Sequence, residues 1–264
     1  MSAVPIVVDR TGAVLRLTLN RPDARNALSE AMLAALTGAI DNAGRDTGVH
    51  VIVLSANGPS FSAGHDLKEL TAHRTDADGG KAYFHKIMQD CAAMMQAIVA
   101  CPKPVIAAVE GISTAAGCQL VATCDLAVAG ANARFATPGV NIGLFCSTPM
   151  VALSRNVSRK RAMEMLLLGE MLDAVGARDY GLINRVVAAG QAVVEAQAMA
   201  AVIAAKSPLT VAIGKEAFYR QLEAPLAEAY AQTAEVMVRN MLARDAAEGI
   251  GAFIEKREPK WEGR

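Results

Sequence analysis

The 264-residue chain has no excess of either charge, few aromatic side chains and no paired cysteine motif. Lys and Arg number 26 and Asp and Glu 26, so nothing electrostatic favours a nucleic acid or an anionic membrane surface as partner. Aromatics make up 4% of residues, which fits close helix packing and decides nothing about function. The five cysteines are Cys91, Cys101, Cys118, Cys124 and Cys146, an odd number in apolar surroundings with no CxxC pair. That excludes a disulfide frame and implies reduced, mostly buried thiols in a cytoplasmic protein. Neither these thiols nor the four histidines show metal-ligand spacing, so no metal is expected. No apolar run approaches the roughly 18 residues of a membrane span. Met1 to Pro5 have no basic start and no long apolar stretch, so no signal peptide is expected.

What the chain has is apolar material, 53% of it, enough to bury a sizeable core in one large domain or in a core with an appendage. Strand-type runs are expected at residues 6–9, 14–19, 51–55, 105–109 and 125–128, and helices at 29–43, 81–100 and 115–123. Short buried strands alternating with helices mark an α/β domain. Asn26, Ser29 and Glu30 make a helix start, and the polar stretch 71–80 reads as a mobile surface loop. After about residue 190 the strands stop. Residues 191–205, 208–222, 225–242 and 243–256 read as helices separated by Ser207-Pro208 and Ala224-Pro225. The expected organisation is therefore an α/β core over residues 1–190 and a helical region over 191–264 whose apolar faces serve a subunit interface. The basic run from Arg155 to Arg161 reads as a solvated turn between two helices, with contact to a phosphate or a neighbouring subunit as the alternative.

The chemistry gathers at two glycine-bearing turns. The first is Gly58-Pro59-Ser60-Phe61-Ser62-Ala63-Gly64-His65-Asp66-Leu67, and the second Gly111-Ile112-Ser113-Thr114-Ala115-Ala116-Gly117-Cys118-Gln119-Leu120. Each follows an apolar strand run and leads toward a helical pattern, so each can aim free backbone N–H groups at one small anion. Two fixed donors of that kind form an oxyanion hole, and the loss of one costs roughly 3–4 kcal/mol. Helix N-termini leave such amides unpaired and add a favourable dipole. Small residues, Ala63-Gly64 and Ala115-Ala116-Gly117, keep the way open for a ligand. The alternative is a pair of ordinary small-residue turns.

The chain resembles the crotonase superfamily, the enoyl-CoA hydratase/isomerase family, from about residue 5 to its end. The residues that carry the resemblance are Asn20-Arg21-Pro22, Asn26-Ala27-Leu28, Phe61-Ser62-Ala63-Gly64 with Asp66-Leu67, and the segment 111–120. Cys124-Asp125-Leu126, Phe135-Ala136-Thr137-Pro138, Gly181-Leu182-Ile183 and Val186-Val187 complete the set. Within the family, stretches 62–70, 114–120 and 135–149 look like the branch of enoyl-CoA hydratase domain-containing proteins. The resemblance implies a spiral of ββα units with a helical C-terminal region that drives trimerisation, as a homotrimer or a dimer of trimers. It implies an acyl-CoA or enoyl-CoA ligand, with coenzyme A as part of the substrate thioester and no permanently bound cofactor. The N–H groups of Ala63 and Ala116 would polarise the thioester carbonyl. Ala24, Arg25, Ala27 and the segment Gly64, His65 and Asp66 would lie along the CoA, joined by Phe253 and Lys256, in some relatives from another subunit.

Two departures stand out. The family's hydratases carry one glutamate three residues after the second donor, where this chain has Gln119, and another after Phe-x-x-Pro, where it has Gly139. Positioned proton transfer contributes roughly 10²–10⁴-fold. Gln119 holds a water but accepts no proton from it, and Gly139 has no side chain, so efficient two-carboxylate hydration is not expected. Cys146 and Ser147 fall close to a nucleophile position used elsewhere in the family. There a helix N-terminus would lower a thiol pKa, against a plain packed thiol and an N-cap hydroxyl. His65 reads as an acid–base group or a ligand-contacting side chain, and Asp66 as a base or, by preference, a turn-holding hydrogen-bond acceptor. His50, His73 and His85 read as structural or exposed. Open functions are an acyl-CoA binder or regulatory subunit, and a CoA-thioester isomerase, decarboxylase or hydrolase.

Overall fold

The computed structural model describes residues 4–264. The chain opens with β1 (Ile6–Thr11), β2 (Val14–Leu19), α1 (Glu30–Arg45), β3 (Val51–Ala56), β4 (Ser60–Ser62), α2 (Leu67–Ala72) and α3 (Lys81–Ala100). It continues through β5 (Val105–Val109), β6 (Ile112–Thr114), α4 (Ala116–Thr123), β7 (Leu126–Gly130), β8 (Arg134–Ala136), α5 (Pro149–Asn156) and α6 (Arg159–Leu168). The remainder is β9 (Leu172–Asp173), α7 (Ala174–Asp179), β10 (Arg185–Val187), α8 (Ala192–Ala204), α9 (Pro208–Leu222), α10 (Leu226–Met241) and α11 (Arg244–Glu255).

Three successive units repeat one pattern: a long strand, a two- or three-residue corner, a three-residue strand, then a helix. The long strands enter sheet I, ordered β1-β2-β3-β5-β7-β10, and the short ones enter sheet II, ordered β4-β6-β8-β9. Apart from the β1–β2 and β8–β9 pairs, the neighbours run parallel. This is the expected spiral of ββα units. The three-residue strands β4, β6 and β8 had no signature of their own, because Ser60, Ser62, Ser113 and Thr114 read as turn residues. They exist through pairing with one another.

The central strands β3, β5 and β7 of sheet I are covered on both faces, which is why they are near-continuous apolar runs. Ile52, Leu54, Val105, Ala107, Ala127 and Ala129 face the main core, packed with α1 and α3. The alternate residues Val51, Val53, Ile106, Ala108 and Val128 meet Ala192, Ala196 and Ala200 of α8. Three alanines four residues apart make one flat stripe that lies on the sheet. The Glu110 carboxylate caps α8 by accepting the Ala192 N–H at 3.0 Å, and Gly130 leaves the room: a Cβ there would stand 2.2 Å from Glu110 Oε2.

One buried ion pair moors α9. Lys215 Nζ lies 2.7 Å from Asp125 Oδ2 with side-chain exposures of 6% and 15%. It also donates to the carbonyls of Ile98 and Lys103 at 2.9 and 3.0 Å. Asp125 accepts in addition from the Val105 N–H and from Tyr219 Oη. Beyond α9, large apolar side chains of α10 and α11 stay exposed, among them Tyr230, Met241 and Phe253. The chain end returns across α11: Asp245 is buried and accepts from Ser207 Oγ and from the N–H groups of Glu262 and Gly263. Trp261 Nε1 donates to Ala205 O at 2.8 Å. No single helix among the described residues is long and apolar enough to cross a membrane.

The stretch 71–80 is more ordered in its bonding than a loop. It holds the end of α2 and a single 3₁₀ turn, with His73 stacked on Tyr83 at 3.5 Å and Nδ1 2.8 Å from Asp76 Oδ2. The basic run bridges α5 and α6 as expected, with Arg155 on Glu223 and Arg161 on Glu164.

Removing one partner of a buried pair strands the other, at a cost of about 3–5 kcal/mol, whereas an exposed pair contributes about 1 kcal/mol or less. Lys215→Ala is therefore expected to lower unfolding stability by about 3–5 kcal/mol in urea denaturation. Arg155→Ala should change it by less than about 1 kcal/mol.

Candidate active site

Two turns from sheet II meet at backbone distance. The first leaves β4 through Ala63 and Gly64 (φ +87°), and the second leaves β6 through Ala115, whose φ of +50° and ψ of −119° are rarely adopted by a non-glycine residue. A Cβ on Gly64 would stand 2.9 Å from Ala115 Cβ and 3.1 Å from Ala116 N. A Cβ on Gly117 would stand 2.2 Å from the Ser62 carbonyl oxygen. Both glycines are required by contact, and together they set the N-terminus of α4 directly against β4.

The loop before α1 completes the cluster. Arg25 and Asn26 both take left-handed backbone, φ +51° and +50°. Asn26 is fully buried, donates from Nδ2 to Asn57 O and Ser60 O, and accepts the Arg21 N–H. Ser62 Oγ donates to Asn26 O. Asparagine tolerates left-handed backbone through local hydrogen bonds, whereas the sequence alone places it in a helix start. Ser29 is the N-cap, accepting from Met32 N. Asp66 caps α2 by accepting the Lys68 N–H and pairs with Arg21 at 3.4 Å, which leaves it a structural carboxylate.

This arrangement corrects one expected donor. The Ala63 N–H is spent on Arg25 O at 3.0 Å. Among the described residues, the N–H of His65, one glycine further along, has no partner, and neither has that of Ala116, the first residue of α4. With Gly64 packed on Ala116 N, the free amides of His65 and Ala116 are neighbours. The contact to Arg25 O also brings Ala24, Arg25 and Ala27 beside the first turn.

Gln119 lies one helical turn beyond Ala116, its N–H on Ala115 O at 3.0 Å. It is 5% exposed and its Oε1 has no partner. Gly139 sits in a 3₁₀ turn (Pro138–Ile142), and a Cβ there would meet Leu144 O at 2.9 Å and Cys146 Sγ at 3.0 Å. The space beside Gly139, where the sequence resemblance implies a second acid, is thus filled by the returning chain. Burial pushes the Cys146 thiol up, with a weaker opposing contact from the Gly139 backbone, so the helix terminus does not activate it. Thr148, not Ser147, occupies the N-cap of α5 and makes no side-chain cap bond, and the exposed Ser147 Oγ reaches Phe145 O at 3.4 Å.

His65 is half-buried, and its two ring nitrogens are both buried without a hydrogen bond. Burial lowers its pKa, opposed more weakly by the Leu28 backbone beside it, so the imidazole is neutral at pH 7. Phe253 and Lys256 lie at the end of α11, far along the chain; Phe253 is 86% exposed and Lys256 is left-handed at φ +55°. His50 bonds Ala204 O and His85 is exposed. Two open clefts, about 500 Å³ between the β1–β2 pair and α1 and about 450 Å³ between α9 and α10, contain none of these residues.

Against known proteins, the enoyl-CoA hydratase/isomerase family model matches residues 9–264. A curated relative, the mitochondrial enoyl-CoA hydratase domain-containing protein 3 of Xenopus laevis, is 47% identical over 97% of this chain and 85% of its own length. The crystal structure of an enoyl-CoA hydratase from Mycobacterium smegmatis superposes with a TM-score of 0.92 at 52% identity, covering 97% of this chain and 98% of that one. That of human enoyl-CoA hydratase domain-containing protein 3 gives 0.92 at 46% identity, covering 97% and 100%.

A methyl at residue 117 cannot coexist with the Ser62 carbonyl, so Gly117→Ala is expected to cost about 1–3 kcal/mol in thermal denaturation, while Gly251→Ala, with nothing near it, costs nothing. His65, protonated less readily when folded, binds fewer protons than the unfolded chain below pH ~6.5. Its contribution is intact above that pH and lost as pH falls toward the lowered folded-state pKa. The fall in stability from pH 7.5 to 5.5 should shrink in His65→Gln, measured by denaturant titration at each pH.

Proposed function

The chain belongs to the enoyl-CoA hydratase/isomerase family, and from that we propose that it binds an acyl-CoA thioester whose carbonyl oxygen accepts from the His65 and Ala116 N–H groups. The observation that carries this reading is the pair of unpaired backbone donors held side by side by Gly64 and Gly117. A thioester carbonyl gains negative charge when its α-carbon loses a proton or when it is attacked, and fixed donors stabilise that charge without reorganising. The CoA runs past Ala24, Arg25, Ala27 and Asp66. Exposed Phe253 and Lys256 reach the CoA of a neighbouring subunit in a trimer or a dimer of trimers, which also covers the apolar faces of α10 and α11. Five unpaired thiols, with Cys91 and Cys118 pushed up to about 12 by burial, suit a reducing compartment such as the cytoplasm.

The hydratase acid–base pair is missing. Gln119 accepts no proton, and Gly139 faces a filled volume instead of an open place for a carboxylate. The site as built therefore binds and polarises but does not hydrate by two carboxylates. A second reading follows from the same observation: a non-catalytic acyl-CoA binder or regulatory subunit. Isomerisation, decarboxylation or thioester hydrolysis would need only the polarised carbonyl and a proton acceptor from elsewhere.

Calorimetric titration with butyryl-CoA should show saturable binding, and hydration of crotonyl-CoA should run at least ~100-fold slower than a two-carboxylate hydratase. Gln119→Glu, which adds a carboxylate without disturbing the Gly139 turn, should raise that rate. Full hydratase turnover by the natural chain would overturn the reading.

A further inference from the structure

Of the twelve residues of α11, only Asp245 and Ala252 are buried, so this helix has almost no core of its own. What holds it is a strap, residues 257–264, that doubles back along its length. Arg257 turns first. Its Nη1 and Nη2 donate to the two oxygens of Glu248 at 2.6 and 3.0 Å, and its Nε donates to Glu255 at 2.6 Å. The Lys260 N–H donates to Glu248 Oε1 at 2.8 Å. The Trp261 ring lies on Gly249, where a Cβ would stand 3.0 Å from it, and its Nε1 reaches Ala205 O between α8 and α9. Asp245 then takes the Glu262 and Gly263 N–H groups and Ser207 Oγ, and its own N–H donates to Arg264 O. Asp245, Glu248, Gly249 and Ala252 are spaced by three and four, so the strap covers one face. Phe253 and Ile254, on another, are 86% and 72% exposed.

The turn into the strap is Lys256, at φ +55°, where a helix end favours glycine. Left-handed backbone at a side-chain-bearing residue persists only where surrounding contacts over-determine it. Here they are the Arg257 N–H on Ala252 O at 3.0 Å and the Arg257 guanidinium on Glu248. Glu255 is paired with Arg257, which leaves the exposed Lys256 ammonium without an acidic partner among the described residues. Resting on the reading that Phe253 and Lys256 reach the CoA of a neighbouring subunit, we propose that the strap positions that contact. Glu248, by clamping Arg257 and the Lys260 N–H, and Trp261, by seating on Gly249 and Ala205, fix the end of α11 so that Lys256 meets the phosphate-bearing half of CoA already ordered. Both are positioning residues. A side chain ordered before binding spares the complex that entropy cost.

The sign of one substitution separates this role from plain electrostatics. Glu248 is an anion near the place where an anionic ligand would lie, so its charge alone disfavours CoA, and removing it would tighten binding. The strap predicts the opposite. In calorimetric titrations, Glu248→Ala should weaken butyryl-CoA about threefold to tenfold, while S-butyrylpantetheine, which lacks the nucleotide, stays within about twofold. Glu248→Gln has the same charge as the alanine variant but keeps acceptors for Arg257 and Lys260, and it should recover part of the loss. Trp261 is the sole tryptophan. Its emission should shift to the red in Glu248→Ala and return on saturation with butyryl-CoA but not with S-butyrylpantetheine, because coupling is reciprocal. Unchanged or tighter butyryl-CoA binding in Glu248→Ala, equal loss of both ligands, or a changed mass by light scattering would each overturn the positioning role. Lys256→Gly tests the reading beneath it. This variant should melt no lower than the natural chain, since glycine suits the backbone, yet lose affinity for butyryl-CoA alone. If it binds butyryl-CoA as tightly as the natural chain, the Lys256 contact fails and the strap's role with it. If Lys256→Gly weakens binding and Glu248→Ala does not, only the strap fails.

Discussion

The contact of Gly117 with the Ser62 carbonyl governs this molecule. Because nothing but hydrogen stands on that Cα, α4 begins against β4, and its first amide emerges beside the amide of His65. Gly64 makes the reciprocal approach to Ala115 and Ala116. Everything upstream serves this meeting. Asn26 pins the preceding loop, Arg25 O takes the Ala63 N–H out of play, and the repeated ββα units carry β4 and β6 to adjacent positions in sheet II. The unusual backbone at Ala115 belongs to the same arrangement. Such strain costs of order 1–3 kcal/mol and persists only where surrounding contacts over-determine it, here through the Ala115 N–H on Ala136 O.

Much of this was legible in the sequence. The long strands of sheet I and the helices 81–100, 208–222 and 244–255 fell within a few residues of expectation, since their apolar periodicity arises locally. The two glycine turns were legible for the same reason. What was not legible depends on partners distant in the chain. The three-residue strands of sheet II have no pattern until they pair. Asn26 looks like a helix cap because its acceptors, Asn57 O and Ser60 O, come from another unit. The Ala63 N–H, expected in the oxyanion hole, donates to Arg25 O instead, because two consecutive left-handed residues bring that carbonyl in. Cys146 illustrates a competition between two real effects: proximity to a helix terminus favours a thiolate, burial disfavours it, and burial wins.

The site's carboxylate Asp66 is tied to Arg21 and to the start of α2, while the His65 nitrogens and Gln119 Oε1 are neutral and unmet. On the proposed reading, the positions where the family resemblance implies carboxylates hold an amide and a glycine, and the glycine is packed against Leu144 O and the Cys146 thiol. On the same proposal, the site orients and polarises one carbonyl and leaves proton transfer unsupported.

The central claim is that two backbone amides act on a thioester carbonyl, and its most direct measurement is the infrared stretch of that carbonyl in the bound ligand. With ¹³C-labelled butyryl-CoA at saturating protein, isotope-edited difference spectra should place the thioester band below its position in water, as expected for two fixed donors. A band that does not move, under conditions where calorimetry shows the ligand bound, would contradict the assignment of the His65 and Ala116 N–H groups as the polarising pair.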